Sequence, residues 1–213
     1  MKSINLSRRS KSVRYLCSAD ERLAKVIRAV GKFSYAREDD PYAFLVHVII
    51  EQMLSIAVGR KIYMRLDELS GGIKPENVAN LTEEELRSVG MSSRKSGYIL
   101  NMTDAVMNGS LNFKKLERLN DDEVMKTLRS IKGIGPWTAK MYLIFVLDRQ
   151  DVLPIEDLTF MQALKWLCGE EDMTAAAAKA RCAVWSPYSS VAARYLYRAF
   201  DSGLTKTDIN LLR

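Results

Sequence analysis

Helix start and stop signals recur along most of the 213-residue chain, whereas strand patterns are few. Asp40 precedes Pro41, which suits the first helical position because it has no N–H to leave unpaired. Thr82 and Glu85 have the spacing of a capping box. Further start signals stand at Asp20, Ser92, Asn120, Pro136, Asp157 and Thr174. We therefore predict an all-α fold of about ten helices in short succession, with Val152 to Ile155 as an extended link.

Composition excludes several classes of protein. Hydrophobic residues make up 47% and charged residues 27% of the chain, as in ordinary globular domains. The three cysteines, Cys17, Cys168 and Cys182, are too few and too far apart for a disulfide framework, a zinc site or a four-cysteine iron–sulfur cluster. The only histidine, His47, lies in an apolar run and is interpreted as a core residue. No apolar run is long enough to span a membrane, so we expect a soluble intracellular protein.

The stretch from Lys132 to Pro136 contains two glycines, Gly133 and Gly135, between an outgoing and an incoming helix. A glycine hairpin of this kind exposes backbone N–H groups at a helix start, and such groups bind phosphate oxygens. The alternative is an ordinary turn in which the glycines only reverse the chain. A lone Gly-x-Gly favours the alternative, so the interpretation depends on what accompanies it.

Several further blocks accompany the hairpin. They are Gly133 to Ala139 with Pro154 and Asp157, Phe44 to Ser55, Gly90 to Lys95, and Trp185 to Tyr188. Together, over roughly residues 20–200, they resemble the helix-hairpin-helix DNA glycosylase superfamily, and within it the alkylation-repair branch of 3-methyladenine DNA glycosylase II. The blocks depart from this pattern at Glu51, Met141 and Ser189.

The resemblance implies two helical lobes with a base-binding cleft between them. One lobe would combine residues 1–40 and 148–213, and the other would span 41–147, with the hairpin at about 121–147. It also implies an enzyme that flips alkylated purines, 3-methyladenine or 7-methylguanine, out of damaged duplex DNA and hydrolyses the N-glycosidic bond, leaving an abasic site. The alternatives are a glycosylase for uracil, hypoxanthine or oxidised guanine, and a damage-binding protein without activity.

Asp157 matches the catalytic aspartate of the resembling family. The position also makes chemical sense, because the N–H groups and dipole of a helix start stabilise a carboxylate anion. An anion is what an oxocarbenium-like transition state needs nearby. Glu156 is the rival carboxylate but does not match the motif, and the plain alternative is that Asp157 only caps a helix.

Trp137 stands two positions after Gly135, where lyase-competent relatives have a Schiff-base lysine. An indole cannot form that adduct, and Lys140 is nearly one helical turn further along, so we predict a monofunctional glycosylase. By resemblance, Trp137, Tyr197 and Met141 line the base pocket, where an aromatic ring suits a cationic base. Core packing is the alternative for Trp137.

The resemblance also implies DNA contacts. They involve Gln52, Met53, Ser55, Arg94, Lys95 and the backbone around Gly133, Gly135 and Thr138. Met53 would fill the gap left by the flipped base, and a buried core position is the equally weighted alternative. For Arg94 and Lys95 phosphate contact and plain solvation are evenly matched.

No cofactor is required by this prediction. The carbonyls of Arg129, Ile131 and Ile134 would hold a structural Na+ or K+ if the hairpin binds one, and we expect a monomer. The basic residues at the N-terminus are Lys2, Arg8, Arg9, Lys11 and Arg14. We interpret residues 1–15 as a frayed, solvated tail, with an arm near DNA phosphates as the alternative.

Overall fold

The computed structural model describes residues 3–212, and this part is built almost wholly from helices. It contains two short strands and thirteen α-helices and divides into two compact units, Met1–Arg37 with Asp148–Arg213 and Glu38–Leu147. The all-α prediction is confirmed, with a two-stranded sheet as the one addition. None of the described helices is long and apolar enough to cross a membrane.

The first unit contains both strands and five helices. Their bounds are β1 Ile4–Leu6, α1 Lys11–Ala19, α2 Glu21–Val30, β2 Phe33–Tyr35, α11 Leu158–Cys168, α12 Ala175–Cys182 and α13 Ser189–Asp201. The strands are antiparallel, with Leu6 opposite Phe33. The core gathers Leu16, Leu23, Phe160, Trp185 and Tyr195.

The interpretation of residues 1–15 as a frayed tail is wrong for the described part. Ile4–Leu6 pairs with a strand almost thirty residues away, Leu6 is buried, and α1 begins at Lys11. A three-residue strand is too short to show a period in sequence. Lys2 lies outside the described residues.

The second unit contains eight helices. Their bounds are α3 Pro41–Glu51, α4 Ile56–Ser70, α5 Pro75–Val78, α6 Glu83–Ser88, α7 Ser93–Met107, α8 Phe113–Leu116, α9 Asp121–Arg129 and α10 Pro136–Met141. A π-helix, Tyr142–Val146, continues α10. The fully buried side chains of Leu45, Ile49, Leu66 and Ile99 form part of its core.

The predicted helix starts are where the structure has them. The side chains of seven N-cap residues accept a backbone N–H in the first turn, namely Asp20, Asp40, Thr82, Ser92, Asn120, Asp157 and Thr174. Capping boxes form at Thr82 with Glu85 and at Asn120 with Glu123. The prediction of about ten helices missed α1, α5 and α8, of which the last two have four residues each and show no period.

Candidate functional site

The glycine hairpin of the second unit joins α9 to α10, and its two glycines have different structural roles. Gly133 has φ +107°, and a Cβ there would lie 2.3 Å from Cγ of Tyr98, so the fold itself requires glycine. Gly135 has an ordinary φ of −88°, and a Cβ there would meet no atom within 4 Å. The fold does not require glycine at 135, so the bare backbone leaves open space in front of α10.

Gln52 and Thr138 hold the hairpin in place. The Gln52 amide donates to the Gly133 carbonyl and to Oγ1 of Thr138, both at 3.2 Å. The Gln52 amide nitrogen is thus bound within the unit, and the predicted DNA contact by Gln52 stays a prediction. The Thr138 side chain is buried, but its N–H lies in the first turn of α10, where a helix supplies no carbonyl to accept it.

Met53 lies in the loop between α3 and α4 and is 95% exposed. Its φ of +58° is a left-handed conformation that L residues other than glycine rarely adopt. The alternative of a buried core methionine is therefore wrong. Ile56 is also 71% exposed, so the loop presents an apolar surface to solvent. Ser55, predicted to contact DNA, caps α4 by accepting from the Val58 N–H at 3.4 Å.

Arg94 and Lys95 begin α7 but have different surroundings. The Lys95 ammonium donates to the Ile50 carbonyl at 2.6 Å, near the C-terminal end of α3, and burial lowers its pKa. Lys95 is thus bonded within the unit, so plain solvation does not describe it, and its phosphate contact stays a prediction. Arg94 is exposed. It lines a groove of about 550 Å³ together with Met53 and Tyr98.

Trp137 and Met141 lie on α10 of the same unit. Trp137 is partly exposed, whereas Met141 is only 5% exposed. Met141, predicted to line the base pocket, is therefore a buried residue with little surface to offer a base. Trp137 is the second residue of α10, directly after Pro136. The part of the indole that solvent reaches is available to a ligand.

Asp157 belongs to the first unit and caps α11. One carboxylate oxygen accepts from the Phe160 N–H at 2.7 Å, and the Asp157 N–H donates to the Pro154 carbonyl at 2.9 Å. The side chain remains partly exposed. The cap thus uses one oxygen and fixes the carboxylate at the positive end of the helix.

Tyr197, on α13, has its phenol close enough to Asp157 for the two groups to interact electrostatically. Burial, and then the negative charge of Asp157, raise the pKa of the Tyr197 phenol well above its ordinary value. The phenol therefore stays protonated and can act as a donor at physiological pH. The predicted place of Tyr197 in the wall of the base pocket stays a prediction, and the structure adds that its phenol lies near the candidate catalytic group.

Arg194 was not predicted from the sequence. It lies one helical turn before Tyr197, is 7% exposed, and pairs with Asp148 at 3.3 Å. Its guanidinium lies 3.8 Å from the ring centroid of Tyr35, whose hydroxyl donates to Asp148 at 2.9 Å. The positive charge of Arg194 also interacts with the Tyr197 phenol. The only sequence signal is the three-residue spacing of Arg194 and Tyr197 on one helix face.

Comparison with known proteins adds an independent observation. Residues 46–187 match the family model described as "HhH-GPD superfamily base excision DNA repair protein". The chain belongs to this superfamily. The match includes the hairpin, Trp137 and Asp157.

Individual relatives agree with this assignment. The superfamily member "DNA-3-methyladenine glycosylase 1" of Schizosaccharomyces pombe is 31% identical over 160 residues, which are 72% of this chain and 70% of that protein. A crystal structure of a Bacillus halodurans DNA-3-methyladenine glycosidase has 34% identity and a TM-score of 0.82, with 96% of each chain covered. The S. pombe enzyme Mag1, solved with abasic DNA, has 28% identity and a TM-score of 0.84, covering 90% of this chain and 97% of that one. The chain is thus a base excision repair enzyme of the HhH-GPD superfamily.

Proposed function

We propose that this protein is a monofunctional DNA glycosylase that hydrolyses the N-glycosidic bond of alkylated purines, 3-methyladenine and 7-methylguanine, in duplex DNA. The observation that carries the proposal is the Asp157 carboxylate, fixed by the Phe160 N–H at the start of α11 with the Tyr197 hydroxyl beside it. The names of its relatives support the lesion class.

Asp157 acts on the sugar. As the bond to the base lengthens, positive charge develops on the sugar ring, and a fixed carboxylate stabilises that charge. The same carboxylate orients a water molecule, which adds to the anomeric carbon and leaves a hydroxyl there once its proton is lost. Tyr197 holds the carboxylate in place with its own proton, which the raised pKa keeps on the phenol.

Trp137 accounts for the choice of lesion and for the lack of lyase chemistry. Alkylation at N3 or N7 gives the purine a positive charge, which makes it a good leaving group and attracts it to the electron-rich face of an indole. Trp137 has no amine with which to attack the sugar. Water is therefore the nucleophile, and an abasic site is the product.

The second unit supplies the DNA contacts of this proposal. The N–H groups at the start of α10 bind a phosphate in the space left open by Gly135. Met53 enters the duplex where the base has left, since its apolar side chain is already exposed. Arg94 adds a cation that contacts the backbone of the duplex.

The hairpin carbonyls fit a monovalent cation. The carbonyl of Arg129 ends α9 and has no intrahelical donor, whereas that of Ile131 accepts from the Ile134 N–H at 3.1 Å and keeps a second lone pair. With the Ile134 carbonyl they would hold Na+ or K+, which would supply positive charge at the hairpin and take no part in bond cleavage.

The test is release of methylated bases from alkylated duplex DNA by the wild type and by Asp157→Asn. Asparagine caps helices about as well as aspartate, so the variant keeps the fold and loses only the charge. We expect a loss of at least about 10²-fold in release rate, the scale of removing one preorganised stabilising group. Glu156→Gln, the matched change at the exposed neighbour, keeps the wild-type rate.

Three outcomes would contradict the proposal. Equal release by Asp157→Asn would make Asp157 a cap only. Release of uracil, hypoxanthine or oxidised guanine in preference to methylated purines would show that alkylated purines are not the substrate class. Binding of damaged duplex without release of any base would identify a damage-binding protein, and a borohydride-trapped covalent adduct would contradict the use of water.

A further inference from the structure

A second cavity lies within the first unit, on residues for which the proposed reaction has no use. Its volume is about 330 Å³, and it lies at the turn after β1 and the C-terminal end of α2. Four of its lining residues carry positive charge, namely Arg8, Arg9, Arg28 and Lys32. None of its lining residues carries a carboxylate. The cavity is therefore a concentration of positive charge that the lining itself does not neutralise.

Tyr195 forms part of the same wall and has a hydroxyl without a partner. The residue is 0% exposed, and within residues 3–212 its hydroxyl makes no hydrogen bond. Burial raises the pKa of Tyr195 to about 12, so the proton stays on the phenol. A buried polar group normally has a partner, since leaving it unpaired is costly. Within the described residues the hydroxyl thus has a proton that no protein group accepts.

The residues that line the cavity and its volume indicate which kind of anion it would bind. Arginine presents a planar fork of N–H donors that matches the oxygens of phosphate. The charges of Arg8, Arg9 and Lys32 together exceed what one carboxylate would neutralise, and the C-terminal end of α2 adds only a partial negative charge. The remaining wall includes the apolar side chain of Ile27. The volume is at the lower end of that of small-ligand pockets, about 300 Å³.

We propose that this cavity binds a phosphate group, with Arg8, Arg9 and Lys32 around it and the Tyr195 hydroxyl donating to one oxygen. The proposal is independent of the proposed function, because it involves none of the residues assigned to base excision. The phosphate belongs either to a free ligand of mononucleotide size or to the backbone of bound DNA, and the experiment separates these two sources.

Calorimetric titration with inorganic phosphate and with adenosine 5′-monophosphate tests the free ligand. Arg8→Gln and Tyr195→Phe each remove one donor to a charged group and should weaken binding about ten-fold. Arg14→Gln is the matched control, because Arg14 is an exposed arginine in the same basic segment and does not line the cavity. It should keep the wild-type affinity.

Titration with undamaged duplex DNA over a range of salt concentrations tests the backbone source. If DNA supplies the phosphate, Arg8→Gln lowers the slope of log K against log salt by about one, and Arg14→Gln does not. Failure of the wild type to bind either free probe, together with unchanged duplex binding in Arg8→Gln and Tyr195→Phe, would overturn the proposal.

The midpoint of thermal unfolding without ligand gives a second readout for Tyr195→Phe. The variant should be at least as stable as the wild type, since it removes only an unpaired buried hydroxyl. A clearly lower midpoint would show that the hydroxyl has a partner inside the protein, and would equally overturn the proposal.

Discussion

The two units of the molecule hold their candidate functional residues in opposite ways. In the second unit Met53 is almost wholly exposed and Gly135 faces open space, so neither contributes much to the fold. In the first unit Asp157 is a helix cap with the Tyr197 phenol nearby, and that phenol is in turn close to the charge of Arg194. The contrast teaches that Met53 and Gly135, which we propose to contact DNA, have few structural duties, whereas the proposed catalytic carboxylate is part of the fold.

The reason for the contrast is physical. A side chain that inserts among bases must be exposed when DNA is absent, and it can do so only if the core does not need it. A carboxylate that stabilises a developing charge must have a fixed position before the reaction, which requires partners on several sides. Substitution of Met53 or Gly135 should therefore change activity or affinity without lowering stability, whereas substitution of Arg194, which pairs with Asp148, should lower stability.

Arg194→Met should have the largest effect. The change leaves Asp148 without its buried cation, so the free energy of unfolding in urea should fall by about 3–5 kcal/mol. Arg198→Met, on the same helix, is the control, because Arg198 is exposed and lies over the Phe33 ring at 5.1 Å. Its cost should be about 1 kcal/mol or less. Similar losses in the two variants would show that the buried pair of Arg194 with Asp148 stabilises the first unit no more than an exposed arginine does.

The second largest effect should be the difference in unfolding free energy between Gly133→Ala and Gly135→Ala. At Gly133 the left-handed φ and the overlap with Tyr98 should cost about 2–4 kcal/mol of unfolding free energy. At Gly135 the methyl group meets only solvent, so stability should stay within about 0.5 kcal/mol of the wild type while affinity for duplex DNA falls. Unchanged affinity in Gly135→Ala would show that the open space is not a DNA contact.

Met53→Gly should lower activity without lowering stability. Glycine adopts the left-handed conformation freely, so the free energy of unfolding should stay equal or rise by about 1 kcal/mol. Release of methylated bases should fall about ten-fold, because nothing then offsets the lost stacking. Met64→Ala, a change at another exposed methionine, should affect neither quantity. A loss of stability in Met53→Gly would mean that the Met53 side chain packs against other residues and stabilises the fold.

Arg94→Met and Lys95→Met form the pair with the smallest expected effects. Arg94→Met should reduce the salt slope of duplex binding by about one and leave stability unchanged. Lys95→Met should leave the slope unchanged and cost about 1 kcal/mol of stability through the lost bond to Ile50. The reverse pattern would show that Lys95 contacts phosphate after all.

Lys95 should also affect how the free energy of unfolding depends on pH. Burial lowers its pKa, so just below its ordinary value of about 10.5 the unfolded chain binds more protons than the folded one. Stability contributed by this group therefore rises with pH in that window. The difference between wild type and Lys95→Met in urea unfolding at neutral and alkaline pH measures this contribution.

Much of the fold could be predicted because its signals are local. A cap such as Asp20 or Thr82 bonds to an N–H three residues along, so the sequence contains both partners side by side. Trp137 after Gly135 is equally local, and its chemistry follows from residue type alone. The missed elements, β1 and α8 among them, are too short for any period to appear.

What only the tertiary structure decided depends on residues far apart in the chain. The Lys95 ammonium reaches a carbonyl 45 positions away, and Arg194 pairs with a carboxylate 46 positions away. The exposure of Met53 likewise depends on which surfaces the packed core leaves uncovered. By itself the sequence determined most of the helices, the hairpin and the capping role of Asp157, because these follow from neighbours. Packing decided which side chains are held inside and which remain exposed.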